Sequence, residues 1–216
     1  MANILALETS TDICSVSLSR GEEVFNFHQL MPKQHTENLF GIISDLFEES
    51  GLSFEKLDGV AVAVGPGSYT GVRLACSVAQ GIAFSHDIKA VTVSSLELLS
   101  LEAHRNLGLE RINCISAANQ GKVYVAESSF VDGDILTKMK LIDQESILKE
   151  SFPENSHFIG KGCELLQFEN QLRDGQPRAS LLLEVAKVRF SKGNCIEAES
   201  ILPIYFNDEN SWKKII

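Results

Sequence analysis

VAVAVGPGSYTGVRLACSVAQGIAF, residues 60–84, joins an unbroken apolar run to a glycine turn and then to a second apolar stretch with helical spacing. Val60 to Val64 lacks the in–out alternation of a half-exposed strand, so it predicts a strand buried on both faces, the habit of parallel sheets. Gly65-Pro66-Gly67 ends it, and a helix is predicted from about Thr70 to Phe84. Such a turn gathers backbone N–H groups and the positive end of the helix dipole at one point, an arrangement that can hold an anion. The spacing excludes the sharpest versions of that idea. A phosphate loop needs G-x-x-x-x-G-K, whereas Thr70 and Val72 stand five after Gly65 and Gly67, with Arg73 in place of the lysine. A nucleophile elbow needs G-x-S-x-G, and Ser68 follows Gly67 directly. Ser68 therefore reads as a turn or capping residue.

Upstream, Ile4 to Leu7, the polar turn Thr9 to Asp12, Ile13 to Leu18, the reversal Arg20-Gly21-Glu22 and Val24 to Leu30 predict three antiparallel strands. His35 to Ser50 carries Leu39, Phe40, Ile42, Ile43, Leu46 and Phe47 at helical spacing, with Thr36 as a candidate N-cap and Gly51 as the stop. Downstream, Ala90 to Val93 predicts a strand and Ser95 to His104 a helix. The opening pattern then recurs: Ile112 to Ile115, a polar turn at Ala117 to Gly121, Val123 to Phe130, the turn Asp132-Gly133-Asp134, and Ile135 to Ile142. A helix around Gln144 to Lys149, a strand at His157 to Ile159, and helices near Cys163 to Gln171 and Ser180 to Phe190 complete a less regular second copy. The reading is an internally duplicated α/β chain with lobes at 1–108 and 109–206 and a tail at 207–216 around Trp212.

Composition narrows the function classes. The chain has 216 residues, 44% of them hydrophobic, enough to bury a sizeable core. The formal charge of -10, with Lys and Arg scattered, argues against tight direct binding to a phosphate backbone, whose affinity comes largely from cations that release counterions. If a nucleic acid is involved, its contact is expected to be indirect, through another subunit. The 5 cysteines lie far apart with no C-x-x-C pair, the pattern of reduced, mostly buried thiols in a cytoplasmic protein. The apolar run Ile4 to Leu7 ends at Glu8, too short for a signal peptide or a membrane span.

The helix after the glycine turn is apolar over most of its circumference. Leu74, Val78 and Ile82 form one stripe, and Val72, Ala75, Cys76, Ala79 and Ala83 another, leaving Arg73, Ser77 and Gln80 on a narrow polar strip. The preceding helix is similarly broad. Two readings follow: the surplus surface pairs with the same two helices of another subunit as a four-helix bundle, or a second layer of this chain covers it. On the first reading the interface comprises His35, Leu39, Ile42, Ile43, Leu46, Val72, Arg73, Ala75, Cys76, Ala79, Gln80 and Ala83. Leu39→Glu with Ala79→Glu would then abolish assembly and leave the monomer folded.

Catalytic constellations are sparse. The histidines, at 28, 35, 86, 104 and 157, give no H-x-x-x-H pair for zinc on one helix face, and no metal site is expected. His35-Thr36-Glu37 reads as a helix start in preference to an acid/base cluster. Glu8, Thr9 and Asp12 are the remaining cofactor-binding candidates, since carboxylates and hydroxyls in a hairpin turn can orient a metal-bound phosphate; an ordinary polar turn has the same composition.

ILALETSTDICSVSL, KQHTENL, VAVGPGSYTGVRLACSVAQGIA, VSSLELLS and QGKVYVA together make the chain resemble the TsaB family (older name YeaZ) of tRNA threonylcarbamoyladenosine biosynthesis proteins. The match is specific over the first lobe and weaker over the second, through GKVY, FIGKG and LPIYF. The resemblance implies an actin-like (sugar kinase and Hsp70-like) fold of two duplicated lobes, each a mixed sheet flanked by helices. It implies a paralogous partner, TsaD, that transfers threonylcarbamoyl to the adenosine next to the tRNA anticodon, with a TsaE-like ATPase in the assembled complex. It also implies a homodimer when the chain is alone, no cofactor and no catalysis of its own. Where TsaD-like proteins carry an H-x-x-x-H metal site, this chain has Ser95 and Leu99. It also departs from TsaB relatives, with Ala117-Ala118-Asn119-Gln120-Gly121 in place of a D-A-R-x-G stretch and Gly160-Lys161-Gly162 in place of G-D-G, which puts an inter-lobe nucleotide site in doubt. The rival expectations are an ATPase or small-molecule kinase using Glu8 and Asp12 around a magnesium nucleotide and, last, a metallopeptidase of the glycoprotease type.

Overall fold

The computed structural model describes residues 2–131, 134–147, 150, 152–153, 156–165, 171–172, 175–204 and 213–214. Its contacts divide the chain into two units, Met1–Ser95 with Pro177–Ile204, and a second that takes up the chain between Leu96 and Gln176.

The first unit opens with the antiparallel meander β1 (Ile4–Glu8), β2 (Ile13–Arg20) and β3 (Glu23–Leu30). Helix α1 (His35–Ser50) follows and stops at Gly51, whose left-handed φ of 64° accepts the reversal that a side chain resists. Its N-cap is Gln34, which makes no side-chain cap, so Thr36 is not the cap; it lies in the first turn, exposed. β4 (Gly59–Ala63) then pairs in parallel with β1, helix α2 (Tyr69–His86) crosses over, and β5 (Lys89–Val93) pairs in parallel with β4. The strand order is β3-β2-β1-β4-β5.

The two faces of this sheet differ in size. Leu5 and Leu7, Cys14, Val16 and Leu18, and Val60 and Val62 belong to one apolar cluster with α1 and α2. The alternate positions at the middle of the sheet are small, Ala6, Ser15, Ser17, Gly59, Ala61 and Ala63, with Ile4, Glu8 and Ile13 at the strand ends. Helix α5 (Ala179–Ser191) packs on β1, β2, β4 and β5; its first amide donates to Ser15 Oγ at 3.0 Å, and the Phe190 ring fills the space that a Cβ on Gly59 would take. The expected lobe boundary at 108 and the placing of this helix in a lobe at 109–206 therefore do not match the units. A sheet with a small-residue face needs a close-packed helix over it, and the chain returns to supply one. From α5 it continues as a strap. Ile196 exchanges both backbone hydrogen bonds with Ala90 (2.8 and 2.9 Å), covering the free edge of β5, and Ile204 N donates to Val64 O at 2.9 Å.

The second unit contains α3 (Ser95–Leu107, from Leu96), the meander β6 (Arg111–Ala117), β7 (Lys122–Val131) and β8 (Asp134–Asp143), then α4 (Gln144–Ile147), β9 (Phe158–Ile159) and β10 (Gln171–Leu172), with β11 (Lys213–Lys214) on β8. Its order is β10-β9-β6-β7-β8-β11, with β9 parallel to β6 and β10 parallel to β9. Read from the meander inward, β8-β7-β6-β9-β10 repeats β3-β2-β1-β4-β5, so the duplication extends to topology. Of the expected helix near Cys163 to Gln171, the described residues lie in a 3-10 helix, Lys161–Leu165, and in a strand at Gln171. Residues 166–170, the turn at Asp132 and Gly133, the end of the helix at 148–149 and the tail around Trp212 lie outside the described residues. Among the described residues no helix is long and apolar enough to cross a membrane. Cys14, Cys76, Cys114 and Cys163 are buried free thiols and Cys195 is half-buried.

Candidate functional site

The glycine turn is built for close packing. Ser68 caps α2, its Oγ accepting from Gly71 N at 3.2 Å and its carbonyl from Val72 N at 2.9 Å. The β1–β2 turn presses against it: Ser68 N donates to Ser10 O at 2.7 Å, and Thr9 Oγ1 donates to Gly71 O at 2.7 Å. A Cβ on Gly67 would overlap Ser10 O, and one on Gly71 would overlap Thr9 O. The glycines thus let two turns touch. The second unit repeats the device, since Cβ atoms on Gly160 and Gly162 would strike Ile115 near the end of β6.

This packing bears on the nucleotide that an actin-like fold implies. Carbonyl oxygens of Thr9 and Ser10 occupy the concave side of the turn, and the amides of Ser68 and Gly71 are already bonded within the chain. Glu8 is 0% exposed, with Oε1 accepting from Ser10 N at 2.8 Å and Oε2 without a partner. Burial pushes its carboxyl up to about 7, against the pull of the Ser10 hydroxyl and amide. Asp12 is exposed, apart from Glu8 and Thr9 in environment. The three candidates do not converge on a common point in solvent, and they do not fit a magnesium nucleotide held by Glu8 and Asp12.

Gly71→Ala tests the packing. Alanine is the better helix former by about 1 kcal/mol, yet overpacking against Thr9 O costs about 1–3 kcal/mol or more. A net loss of about 1 kcal/mol or more is expected, read from the urea midpoint; a gain in stability would show that the turns do not touch.

The side chains expected at a subunit interface are mostly core. Leu39, Ala75 and Ala79 are 0% exposed, and Ile42, Ile43, Leu46, Val72, Cys76, Ala83 and His35 are also buried. His35 Nε2 lies 3.2 Å from Ile13 O, so it is a structural residue. Only Arg73 and Gln80 are half-buried. The broad apolar surface of α2 is covered by the strap: Ala198 and Ile201 belong to the same cluster, Ile196 and Ile204 pack on it, and Gln80 Nε2 donates to Ala198 O at 3.2 Å. The second reading of the stripes, a layer of the same chain, is the one the structure shows.

A different face of α1 and α2 is left open. Phe40 on α1 and Tyr69 and Phe84 on α2 are 64%, 71% and 71% exposed, and the small residues Gly41 and Ser44 of α1 and Ser77 and Gly81 of α2 are exposed as well. The Arg73 guanidinium lies 3.2 Å from the centre of the Tyr69 ring, and a hollow of about 300 Å³ is lined by Ser77, Gln80, Gly81, Phe84 and Glu199. Sequence reasoning missed this face because it sought the widest apolar stripe; the signal was Phe40 off the main stripe and Phe84 and Tyr69 at the ends of the other. Ser95 and Leu99 are buried, 2% and 8% exposed, and among the described residues no three His, Cys, Asp or Glu side chains gather as a metal group would require.

The sequence model of the TsaD family, tRNA N6-adenosine threonylcarbamoyltransferase, matches residues 29–167. The tRNA threonylcarbamoyladenosine biosynthesis protein TsaB of Escherichia coli is 30% identical over 225 residues, 98% of this chain and 97% of that protein. Its counterpart in Haemophilus influenzae is 29% identical over 227 residues, 98% and 96% of the two chains. The chain belongs to the TsaB family. The solved structure of YeaZ from Pseudomonas aeruginosa superposes with a TM-score of 0.86 at 29% identity, covering 95% of this chain and 100% of that one. The duplicated mixed sheets are thus the actin-like fold of this TsaB and TsaD group, as the sequence motifs implied. The relatives' names place the family in tRNA threonylcarbamoyladenosine biosynthesis.

Proposed function

We propose that this TsaB-family chain is a non-catalytic scaffold or activating subunit that docks a TsaD-type paralogue through the open face of α1 and α2. The paralogue transfers threonylcarbamoyl to the adenosine next to the tRNA anticodon. The observation that carries the reading is the exposed side of the two helices: Phe40 on α1 and Tyr69 and Phe84 on α2 stand in solvent with exposed small residues on the same helices, whose other sides are packed into the core. Small residues let a partner helix approach closely, and aromatic side chains at their border supply the energy of a contact centre. The match to the transferase's own sequence model over residues 29–167 supports the partner chosen, because that span holds α1 and α2 and a paralogue carries the equivalent pair. The same face serves a homodimer when the chain is alone, in competition with the paralogue. A TsaE-like ATPase completes the assembly, and the charge of -10 leaves tRNA to the partner.

Co-expression with the TsaD-type transferase of the same cell is expected to give a one-to-one complex by gel filtration, and depletion of this chain a loss of threonylcarbamoyladenosine from tRNA. Separate elution together with unchanged tRNA would remove the reading. Magnesium ATP binding and turnover by the isolated chain would support an enzyme instead.

A further inference from the structure

Duplication makes the second sheet comparable with the first, and part of one face is left open. In the first unit the two rows at the start of β1 are apolar: Leu5, Leu18 and Phe25, then Leu7, Val16 and Phe27. They belong to the cluster that α1 covers. The chain turns from β8 into a helix as it does after β3, but α4 has 4 residues where α1 has 16. Ile147 of α4 and Phe152 cover the half of the face formed by Ile115, Val123, Val125 and Ile142. Lys140, on the same side, is 7% exposed and held by Glu150 at 2.6 Å.

The other half carries the rows Asn113, Glu127 and Lys138, and Arg111, Ser129 and Leu136. Together with Pro153 and Ser156 of the chain after α4, they line a cleft of about 560 Å³, the size of a small-molecule site. Its charges are unsettled. Glu127 stands directly across from Lys138 and diagonally from Arg111, positions from which opposite charges pair. Among the described residues none of the three is in an ion pair, and all three are exposed. Asn113, 8% exposed, adds an amide and Ser129 a hydroxyl.

The geometry points to a binding site in this cleft for a small zwitterion of the α-amino-acid kind. Arg111 and Lys138 take its carboxylate, Glu127 takes its ammonium, and its side chain lies along Leu136 and Pro153. One sign of charge would not suffice. A simple anion meets Glu127, and a simple cation meets Arg111 and Lys138, whereas a molecule carrying both charges close together satisfies all three side chains. The site lies within the second unit and does not draw on the docking proposal.

Amide NMR spectra of the full-length chain, titrated with single L-amino acids up to about 10 mM, read the site directly. At least one amino acid is expected to shift amides 127–129 and 136–138 saturably while those of α2 stay in place. Its amide, which lacks the carboxylate, and its N-acetyl derivative, which lacks the ammonium, are each expected to bind at least about tenfold more weakly. Arg111→Ala and Glu127→Gln, both at exposed positions, are expected to abolish the shifts and leave the rest of the spectrum as it was. The proposal is overturned if no amino acid gives a saturable shift, if the shifts centre elsewhere, if either blocked derivative binds equally well, or if both variants bind undiminished. Should a variant misfold, the blocked derivatives on the unaltered protein decide alone.

Discussion

Phe84→Glu and Gly81→Glu are each expected to abolish association with a TsaD-type paralogue while leaving the chain folded. Phe84 is 71% exposed and gives the core nothing, so charging it costs the folded chain no more than about 0.5 kcal/mol. Gly81 is exposed inside α2, with nothing within 4 Å of where a Cβ would stand, and a helix gains about 0.5–1 kcal/mol when an interior glycine is replaced by a better helix former. At a docking centre the same changes are severe. Loss of a buried aromatic anchor costs about 2–4 kcal/mol of binding, or roughly thirty- to a thousand-fold in affinity, and a carboxylate on Gly81 blocks close approach of a helix. Urea unfolding and calorimetric titration with the paralogue measure the two effects separately. Undiminished binding by both variants would show that this face is not the docking surface.

Leu39→Glu and Ala79→Glu are expected to unfold the chain, each alone. Both positions are 0% exposed within the cluster that joins the sheet, α1, α2 and the strap. A carboxylate there has no partner and must be buried neutral or drive the packing apart, at a cost above about 4 kcal/mol, against a total stability of about 5–15 kcal/mol for a domain. Circular dichroism should show lost tertiary signal and a collapsed or absent thermal transition. These variants also fail to bind a partner, but only because they are unfolded, which is why the expectation drawn from helical stripes alone does not test docking. A variant folded with an unaltered transition would mean that the strap does not cover α2 as described.

The nucleotide reading lost ground for a reason that could not be read along the chain. The composition of Glu8-Thr9-Ser10-Thr11-Asp12 suits a phosphate turn and an ordinary hairpin equally. What separates them is that Thr9 and Ser10 meet Gly71 and Ser68, some sixty residues later in the chain, and that Ser10 O takes the Ser68 amide while Ser68 Oγ takes that of Gly71, donors that an anion would need. Ser68, which its spacing marks as a turn or capping residue, caps α2.

Local chemistry was enough for much of the rest. The run Val60 to Val64 is buried throughout, as its lack of alternation required, with the strand at Gly59–Ala63, and Gly51 ends α1 because only a residue without a side chain takes φ of 64° at ease. The two meanders and the parallel strand after each follow from short-range periodicity and turn residues, and with them the duplicated fold and the family. The identity of the exposed face was beyond that reach. Whether a wide apolar helix faces a partner or its own chain depends on what else arrives to cover it, and here the cover is a strap whose Ala198 meets Gln80 from 118 residues away. Sequence by itself determined the elements of the first sheet with its helices α1 and α2, their order, and the turn at residues 65–67. The tertiary structure alone decided which sides of α1 and α2 remain in water, because burial is a sum over neighbours that are distant in the chain and near only once it has folded.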